Sequence, residues 1–539
     1  MSHLSADGDL FYIGAGEGGS SLDPELAGSK AANLSRMAAL GLKVPPAFVV
    51  STRLCEAINA GDSRALELLR KMLTKGMSVL ERAIGRVFGD ARLPLLVSVR
   101  SGAARSMPGM LDTILNTGMT SKTVHGLIRL TGNPRLAWDC YRRFVQMYAE
   151  VVGGVQSEVF ALKLAAAMQA EGAASEGELD PETLERLTAV FLDEAAKGLP
   201  GPIPSNPYQQ LESAAIAVYR SWESDRAHEY RRLNRLEGLV GTAVTVQAMV
   251  FGNGGGRSGS GVAFTRNPAT GAKGLYIDFL FDAQGEDVVS GRRKLSHPEY
   301  FKERLPGAAS ALEQGAARLE QDFADMQDIE FTVENGTLYF LQTRAAKRTP
   351  RAALRVLIDL VREGLIDEKE GARRAGEIDL NGAAITRFAG EAASVATGTP
   401  ASAGVATGRA VFDSARAVEL SKQDARAIIL IRPDTSTADI AGFAAAAGIL
   451  TASGGRTAHA AVVARQLGKA CVVGCPGLAV DAGGRQAKIS GETIKEGDWI
   501  SLDGETGDVF LGERHVIVDR PEAEIAEIKR WRKNKSKSG

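Results

Sequence analysis

Cysteine is scarce in this chain, with Cys55, Cys140, Cys471 and Cys475 the only four among 539 residues. That is too few for a disulfide framework and points to a reducing compartment. Long apolar runs are missing too, so no membrane span is expected. The amino-terminal stretch MSHLSADGDLFYIG has no basic-then-apolar signal pattern. Charge of one sign is balanced away. Lys+Arg 64 against Asp+Glu 65 leaves a net charge of −1, which removes the overall basic character of a dedicated nucleic-acid binder, though not a local patch. The expectation is a cytoplasmic chain with neither nucleic acid nor membrane as partner. The hydrophobic fraction of 44% and charged fraction of 24% are those of a globular protein. At about 150 residues per domain the length predicts three or four compact units.

Glycine, by contrast, is abundant at 60 residues. Several glycines follow short β-rich runs: LLVSV (95–99) leads into RSGAARSMPGM (100–110), VTVQAMVF (244–251) into GNGGGRSGSG (252–261), and ILTAS (449–453) into GGRTAH (454–459). A strand followed by a glycine turn brings backbone N–H groups against a phosphate. Any one such loop is as readily an ordinary turn, but three with polar or basic residues attached favour phosphate chemistry.

Segments 134–170 and 181–197 carry apolar residues at helical spacing, separated by loops at 171–182 and 198–207. Residues 350–379 read as charged helices, and 382–408 as an Ala/Gly/Thr-rich stretch that ends a connector. Residues 409–512 alternate short β runs (RAVF, AIILI, GILTA, ACVVG, WISLD) with Ala-rich helices. The last stretch, 522–539, places acids first and bases last, as an isolated helix with a frayed, solvated basic end does.

His459 has the most informative surroundings of the six histidines. It follows Gly454-Gly455 within TAHAAVVARQLG (457–468), which reads as an N-cap Thr457, an Ala-rich helix and a terminating glycine. An imidazole in a first helical turn sits where unpaired N–H groups favour incoming negative charge.

The first 345 residues suggest a second site. Lys30 opens a helix after a glycine turn, and Arg100 leaves a strand for a Gly/Ser loop. Each alone reads as a surface cation, but together with loop 101–110 they suit a triphosphate. The hairpin DIEFTVENGTLYFLQTR (328–344) turns at Asn335-Gly336. A two-residue turn pairs Glu330 with Leu341 and sends Gln342 to the other face. A three-residue loop, Glu334 to Gly336, gathers Asp328, Glu330, Gln342 and Arg344 on one face, and this is the loop expected here because it collects oxygen ligands for Mg²⁺ beside a cation. An ordinary surface hairpin is the plainer alternative.

GGRTAHAAVVARQLGKACVVG (454–474) resembles the swivelling phosphohistidine domain of the phosphoenolpyruvate-utilising enzymes, and the resemblance extends to 399–412, 427–443 and 497–510. Ala458 and Arg456 depart from the Ser and Met usual in that pattern. SVRSGAARSMPGMLDTILNTG (98–118), YRRFVQMY (141–148), VQAMVFGN (246–253), GVAFTRNPATGAKG (261–274), AQGEDVVSG (283–291) and 325–349 resemble the ATP-grasp domain of the pyruvate, phosphate dikinase family. The implied fold class is α/β (mixed α+β): an ATP-grasp domain over 1–345 with a helical subdomain at about 119–210, a helical linker over 346–395, a β/β/α phosphohistidine domain over 396–515 and a basic helical tail over 516–539.

By that resemblance His459 carries the phosphoryl group and Thr457 stands at a regulatory phosphorylation position. Lys30, Arg100, Ser101 and Gly102 bind ATP phosphates, while backbone groups from Gln247 through Met249 and Val250 meet the adenine. Glu330 and Gln342 hold Mg²⁺ with Asp328 close by, Arg344 contacts phosphate, and Arg143 serves domain docking. A monovalent cation, K⁺ or NH₄⁺, is a further expected cofactor. ATP's β,γ-pyrophosphoryl group would pass to His459 with release of AMP, and inorganic phosphate would then leave as pyrophosphate. The pyruvate step needs a (β/α)₈ barrel of roughly 250 residues, which leaves a separate barrel subunit, a different acceptor or a sequence that ends early. The alternative is an autophosphorylating phosphocarrier serving another acceptor, and a homo-oligomer is allowed. Attack requires an unprotonated ring nitrogen. Phosphorylation of His459 is therefore expected to slow as pH drops below its pKa, and a rate flat through that range in rapid-quench measurements would exclude direct attack as the limiting step.

Overall fold

The computed structural model describes residues 8–16, 21–107, 109–289, 298–380, 382–423, 427–434, 439–455, 458–483 and 485–537, with only the backbone described at 289, 298, 385, 386, 459 and 534–537. The chain divides into two compact units, Met1–Gly259 with Thr332–Thr343, and Ser260–Phe331 with Arg344–Gly539. Among the described residues no helix is long and apolar enough to cross a membrane.

The first unit is built on a five-stranded sheet ordered Leu10–Ile13, Ala47–Val50, Thr242–Ala248, Val97–Ala103, Thr113–Thr117, antiparallel at every step. Every residue of its central strand Thr242–Ala248 is buried. Helix Ser63–Ile84 covers one face because Ala65, Leu69, Met72, Leu73, Met77 and Leu80 recur at three- and four-residue spacing. Asp62 caps its start, accepting from the Arg64 N–H at 2.8 Å, and left-handed Gly85 ends it. The helical insert contains Thr123–Thr131, Pro134–Gly153, Ser157–Glu171 and Pro181–Gly198. The helical pattern over 134–170 is broken into two helices at Gly154, where φ is 68°.

A four-stranded sheet runs in the order Thr337–Ala345, Gln327–Glu334, Gly259–Arg266, Lys273–Phe281. In the second unit, Arg266 is 1% exposed and bonds Glu320, Asp359 and Glu363. It thereby ties strand Gly259–Arg266 to helix Pro350–Arg362, since a buried guanidinium demands paired acceptors. The carboxy-terminal half is a layered β/β/α arrangement. Its eight-stranded sheet has a parallel centre, Val405–Val411, Ile428–Arg432, Gly448–Thr451 and Ala470–Val473. One face packs Ala417, Phe443, Ala460, Ala461 and Ala464 from three helices. The other packs Leu478, Ala487, Ile489 and Ile494 from a three-stranded sheet.

Helix Glu522–Lys537 forms but is not an isolated, solvated tail. Ile528 and Trp531 are buried among Leu354, Leu357, Ile358, Ala372 and Ala375, and Arg362 bonds Glu527 at 2.6 Å. The acid-to-base gradient concealed a two-residue apolar stripe one turn apart, enough for docking on the preceding helices. Trp531→Ala is expected to destabilise the second unit by about 3–5 kcal/mol. Urea unfolding monitored on that unit measures this, and a change within about 0.5 kcal/mol would mean a solvated tail.

Candidate functional site

In the first unit Lys30 and Arg100 are positioned by a contact between glycines. Helix Pro24–Ala39 breaks its helical dihedrals at Gly28, with φ 78° and ψ 153°, a region open essentially to glycine alone. A Cβ there would collide with the Gly102 carbonyl. Without it, the helix start lies against the end of strand Val97–Ala103, and the Ser29 hydroxyl donates to the Ala103 carbonyl at 3.0 Å. Lys30 follows directly on the helix, while Arg100, Ser101 and Gly102 lie on that strand.

This geometry corrects the expected phosphate loop. Arg100 does not leave the strand, which continues through Ala103 with Arg100 paired to Thr113 and Thr245. The Ser101 N–H donates to the Asp112 carbonyl at 3.3 Å, and the Gly102 N–H donates to the Thr242 hydroxyl at 3.0 Å. Neither N–H is available to cradle an anion. The Ser101 hydroxyl is buried without a hydrogen-bond partner among the described residues. Loop 252–258 is also committed in part: the Arg257 carbonyl accepts from the Gly336 N–H at 2.8 Å, and the Ser258 hydroxyl from the Asn335 N–H at 3.0 Å.

The edge Gln247 to Val250 is tightly held. Gln247 pairs with Ala47 and Ser98 across two neighbouring strands, and its side chain donates to the Pro45 carbonyl at 3.2 Å. The N–H groups of Ala248 and Met249 go to the Pro46 and Leu96 carbonyls, leaving Met249 and Val250 half-buried just past the strand end. Glu334, which the sequence had suggested for a loop, ends its strand and accepts the Phe251 N–H at 3.1 Å. Burial pushes its carboxyl above the ordinary range.

Arg143, expected to serve docking, is not a projecting cation. It pairs with Asp139 at 3.0 Å and Glu176 at 3.4 Å, alongside Arg142 on the same two carboxylates. Burial opposes the charge on Asp139, but the guanidinium groups of Arg143 and Arg142 hold it well below the usual carboxylate range.

The hairpin turn has two residues. Strands Gln327–Glu334 and Thr337–Ala345 flank Asn335 at φ 49° and Gly336 at φ 80°, the type I′ pair that matches strand twist. The three-residue loop expected from the sequence is not formed, so its argument for gathering Asp328, Glu330, Gln342 and Arg344 on one face loses its basis. Gln342 is buried in the first unit. In the second unit, Asp328 and Glu330 are two apart on one strand, and Arg344 Nε donates to Asp328 Oδ2 at 2.8 Å. Asp328 Oδ1 is buried without a hydrogen-bond partner among the described residues. Burial outweighs the Arg344 guanidinium and pushes the Asp328 carboxyl up. Among the described residues no three His, Cys, Asp or Glu side chains group around a metal position.

Helix His459–Leu467 starts and stops nearly where its sequence indicated, with left-handed Gly468 after it. Its cap residue is Ala458 rather than Thr457, and among the described residues no side chain caps the first turn. Thr457 lies outside the described residues. Sequence reading passed over Arg465 on this helix, which is fully buried. Its signal was an arginine within an otherwise apolar Ala/Val run.

Comparison with known proteins accounts for both units. A family model described as pyruvate phosphate dikinase, AMP/ATP-binding domain matches residues 67–310 and 306–364, more than half of the chain. The chain belongs to this family. A second, described as PEP-utilising enzyme, mobile domain, matches residues 425–507. Pyruvate, phosphate dikinase 2 of Zea mays is 42% identical over 97% of this chain and 60% of the relative. The pyruvate, phosphate dikinase of Clostridium symbiosum is 44% identical over 90% of this chain and 56% of the relative. That of Rhizobium meliloti is 41% identical over 97% and 60%. The chain thus spans less than two thirds of the length of these relatives.

Because the fold raises the Asp328 value, this carboxyl contributes most to stability at acid pH, below its unfolded value, and that contribution is lost as pH rises through the folded value. Asp328→Asn is therefore expected to raise the thermal midpoint at pH 7 by roughly 1–3 °C, with the gain shrinking as pH is lowered. A midpoint below that of the unsubstituted protein at pH 7, by scanning calorimetry, would show that the pair with Arg344 dominates instead.

Proposed function

We propose that the chain transfers the β,γ-pyrophosphoryl group of ATP to a ring nitrogen of His459, carrying out the nucleotide half-reactions of a pyruvate, phosphate dikinase. The observation that carries this reading is the presence, in one chain, of both matched segments, residues 67–364 and 425–507. In the proposed reaction the His459 nitrogen forms a bond to the β-phosphorus, the α–β bridge breaks, and AMP leaves. Inorganic phosphate then accepts the terminal phosphoryl group as pyrophosphate, leaving phosphohistidine. Transfer to pyruvate is the proposed onward step, with a partner barrel as carrier of the pyruvate site, and the reaction is placed in the cytoplasm.

Polyphosphate transfer asks mainly for positioning and charge compensation. Lys30 and Arg100 supply cations on regular elements of the first unit, and Ser101 follows Arg100 on the same strand. The edge Gln247–Val250 receives the adenine. The uncapped first turn of helix His459–Leu467 supplies N–H groups to the incoming phosphate, and Arg344 adds a cation. Mg²⁺ commonly takes one or two carboxylates and completes its octahedron with water and phosphate oxygens. The buried Asp328 Oδ1, without a hydrogen-bond partner among the described residues, fits such a role, so Asp328 and Glu330, two apart on one strand, would hold the ion, which offsets polyphosphate charge. A monovalent cation, Thr457 as a regulatory phosphorylation position and Arg143 as a docking contact complete the reading, with domain boundaries near 345, 395 and 515.

ATP labelled at the β or γ phosphorus, with and without inorganic phosphate, tests it. Expected are AMP, β-label on the protein that disappears in His459→Ala, and pyrophosphate release only when phosphate is added. Lys30→Met is expected to slow labelling by about 10²–10³-fold. Label retained after loss of His459, or ADP in place of AMP, refutes the reading. AMP and label without phosphate-dependent pyrophosphate would assign a phosphocarrier instead.

A further inference from the structure

Arg465 lies six residues after His459 on the same helix, and it is fully buried. Within the β/β/α layers it makes one hydrogen bond, Nη1 to the Ala401 carbonyl at 2.7 Å. Ala401 belongs to Thr399–Ser402, the strand at one end of the eight-stranded sheet. Cys471, within those layers, is near enough to favour its charge, but the guanidinium also meets residues from outside them. Its carbon stands 5.6 Å from the centre of the Phe264 ring. Tyr276, Asp278 and Asp328 are close enough to favour its charge, although burial pushes its pKa down. The same edge strand is gripped a second time, by the Tyr276 hydroxyl donating to the Pro400 carbonyl at 2.9 Å. Strands Gly259–Arg266, Lys273–Phe281 and Gln327–Glu334 thus face the helix of His459 through one arginine, one tyrosine and one phenylalanine. Nε and Nη2 of Arg465 have no hydrogen-bond partner among the described residues.

We propose that Arg465 is a positioning residue that docks the β/β/α layers carrying His459 onto the sheet carrying Asp328, with Tyr276 as its accomplice on edge strand Thr399–Ser402. Three features distinguish this from an arginine of the β/β/α core. Phe264, Tyr276, Asp278 and Asp328 belong to strands earlier in the chain, and among the described residues one carbonyl is its hydrogen-bonded partner on its own side and two donors have none. A buried guanidinium with unmet donors is retained only where the neighbouring surface covers it, so undocking would return it to water. The inference rests on the proposed phosphorylation of His459 for its kinetic consequence, but not for its structural one.

The test uses the full chain with Arg465→Met, Arg465→Lys and Tyr276→Phe. Two quantities are followed: the rate of β-label transfer from ATP to His459, and amide hydrogen exchange over 399–402 and 273–281. Arg465→Met is expected to slow labelling about tenfold or more with the KM for ATP within about twofold, and to speed exchange in both segments severalfold. Arg465→Lys restores part of each, and Tyr276→Phe moves both in the same direction by a smaller factor. Unchanged labelling and exchange in Arg465→Met overturn the proposal. If that variant does not fold, unchanged exchange over 399–402 in both Arg465→Lys and Tyr276→Phe overturns it. Absence of label on the unsubstituted chain would refute the functional reading alone, and the exchange data would still decide the docking role.

Discussion

The approach of Gly28 to Gly102 is the contact on which the cationic side of the first unit depends. A helix cannot ordinarily begin this close to the backbone of a buried strand, because a Cβ at position 28 would overlap the Gly102 carbonyl. Here Gly28 takes a conformation that other residues avoid and the helix axis restarts beyond it. Ser29 then closes the contact by bonding Ala103, and Lys30 is carried on a rigid turn. Arg100 gains rigidity by the opposite route, staying in a strand hydrogen-bonded on both sides. Fixing both cations on regular structure removes the conformational entropy that long side chains on loops would lose on meeting a polyphosphate.

Much of this architecture was legible because it follows from local pattern. The β runs LLVSV, VTVQAMVF, AIILI and ACVVG mark strands Val97–Ala103, Thr242–Ala248, Ile428–Arg432 and Ala470–Val473, and the apolar spacing around 134–170 and 181–197 is helical. The glycine at 468 terminates the helix that His459 begins. What misled was the assignment of individual backbone groups. A Gly/Ser-rich segment after a strand reads as a loop, yet Ser101 and Gly102 continue the ladder because Asp112 and Thr242 offer acceptors from distant positions. The hairpin illustrates the same limit. Asn-Gly specifies the tight type I′ turn by dihedral preference alone, and a wish to align ligands cannot override it.

Long-range partners account for the remaining differences. The pairing of Arg143 was hidden because its two carboxylates, Asp139 and Glu176, lie four and thirty-three residues away. The terminal helix looked solvated because its buried stripe is short, Ile528 and Trp531 with Ile525 half-buried beside them, and their receiving surface is formed by residues 354–383. Arg465 was silent for the same reason: Phe264, Tyr276 and Asp328 precede it by well over a hundred residues, and no spacing rule connects them.

A domain that must hold a phosphoryl acceptor and later release it faces a particular energetic requirement. Docking through apolar area alone would strengthen with every buried methylene and give the domain no reason to leave. The contact around strand Thr399–Ser402 is made differently. Tyr276 and Arg465 each use one backbone carbonyl, and each can exchange that bond for water at small net cost. The guanidinium pulls in both directions. Nearby carboxylates and the Phe264 ring favour its burial, while two unmet donors favour rehydration. On the proposed docking, these contributions oppose one another. On that reading, a polyphosphate arriving beside Asp328 would change the local charge and so bias the contact.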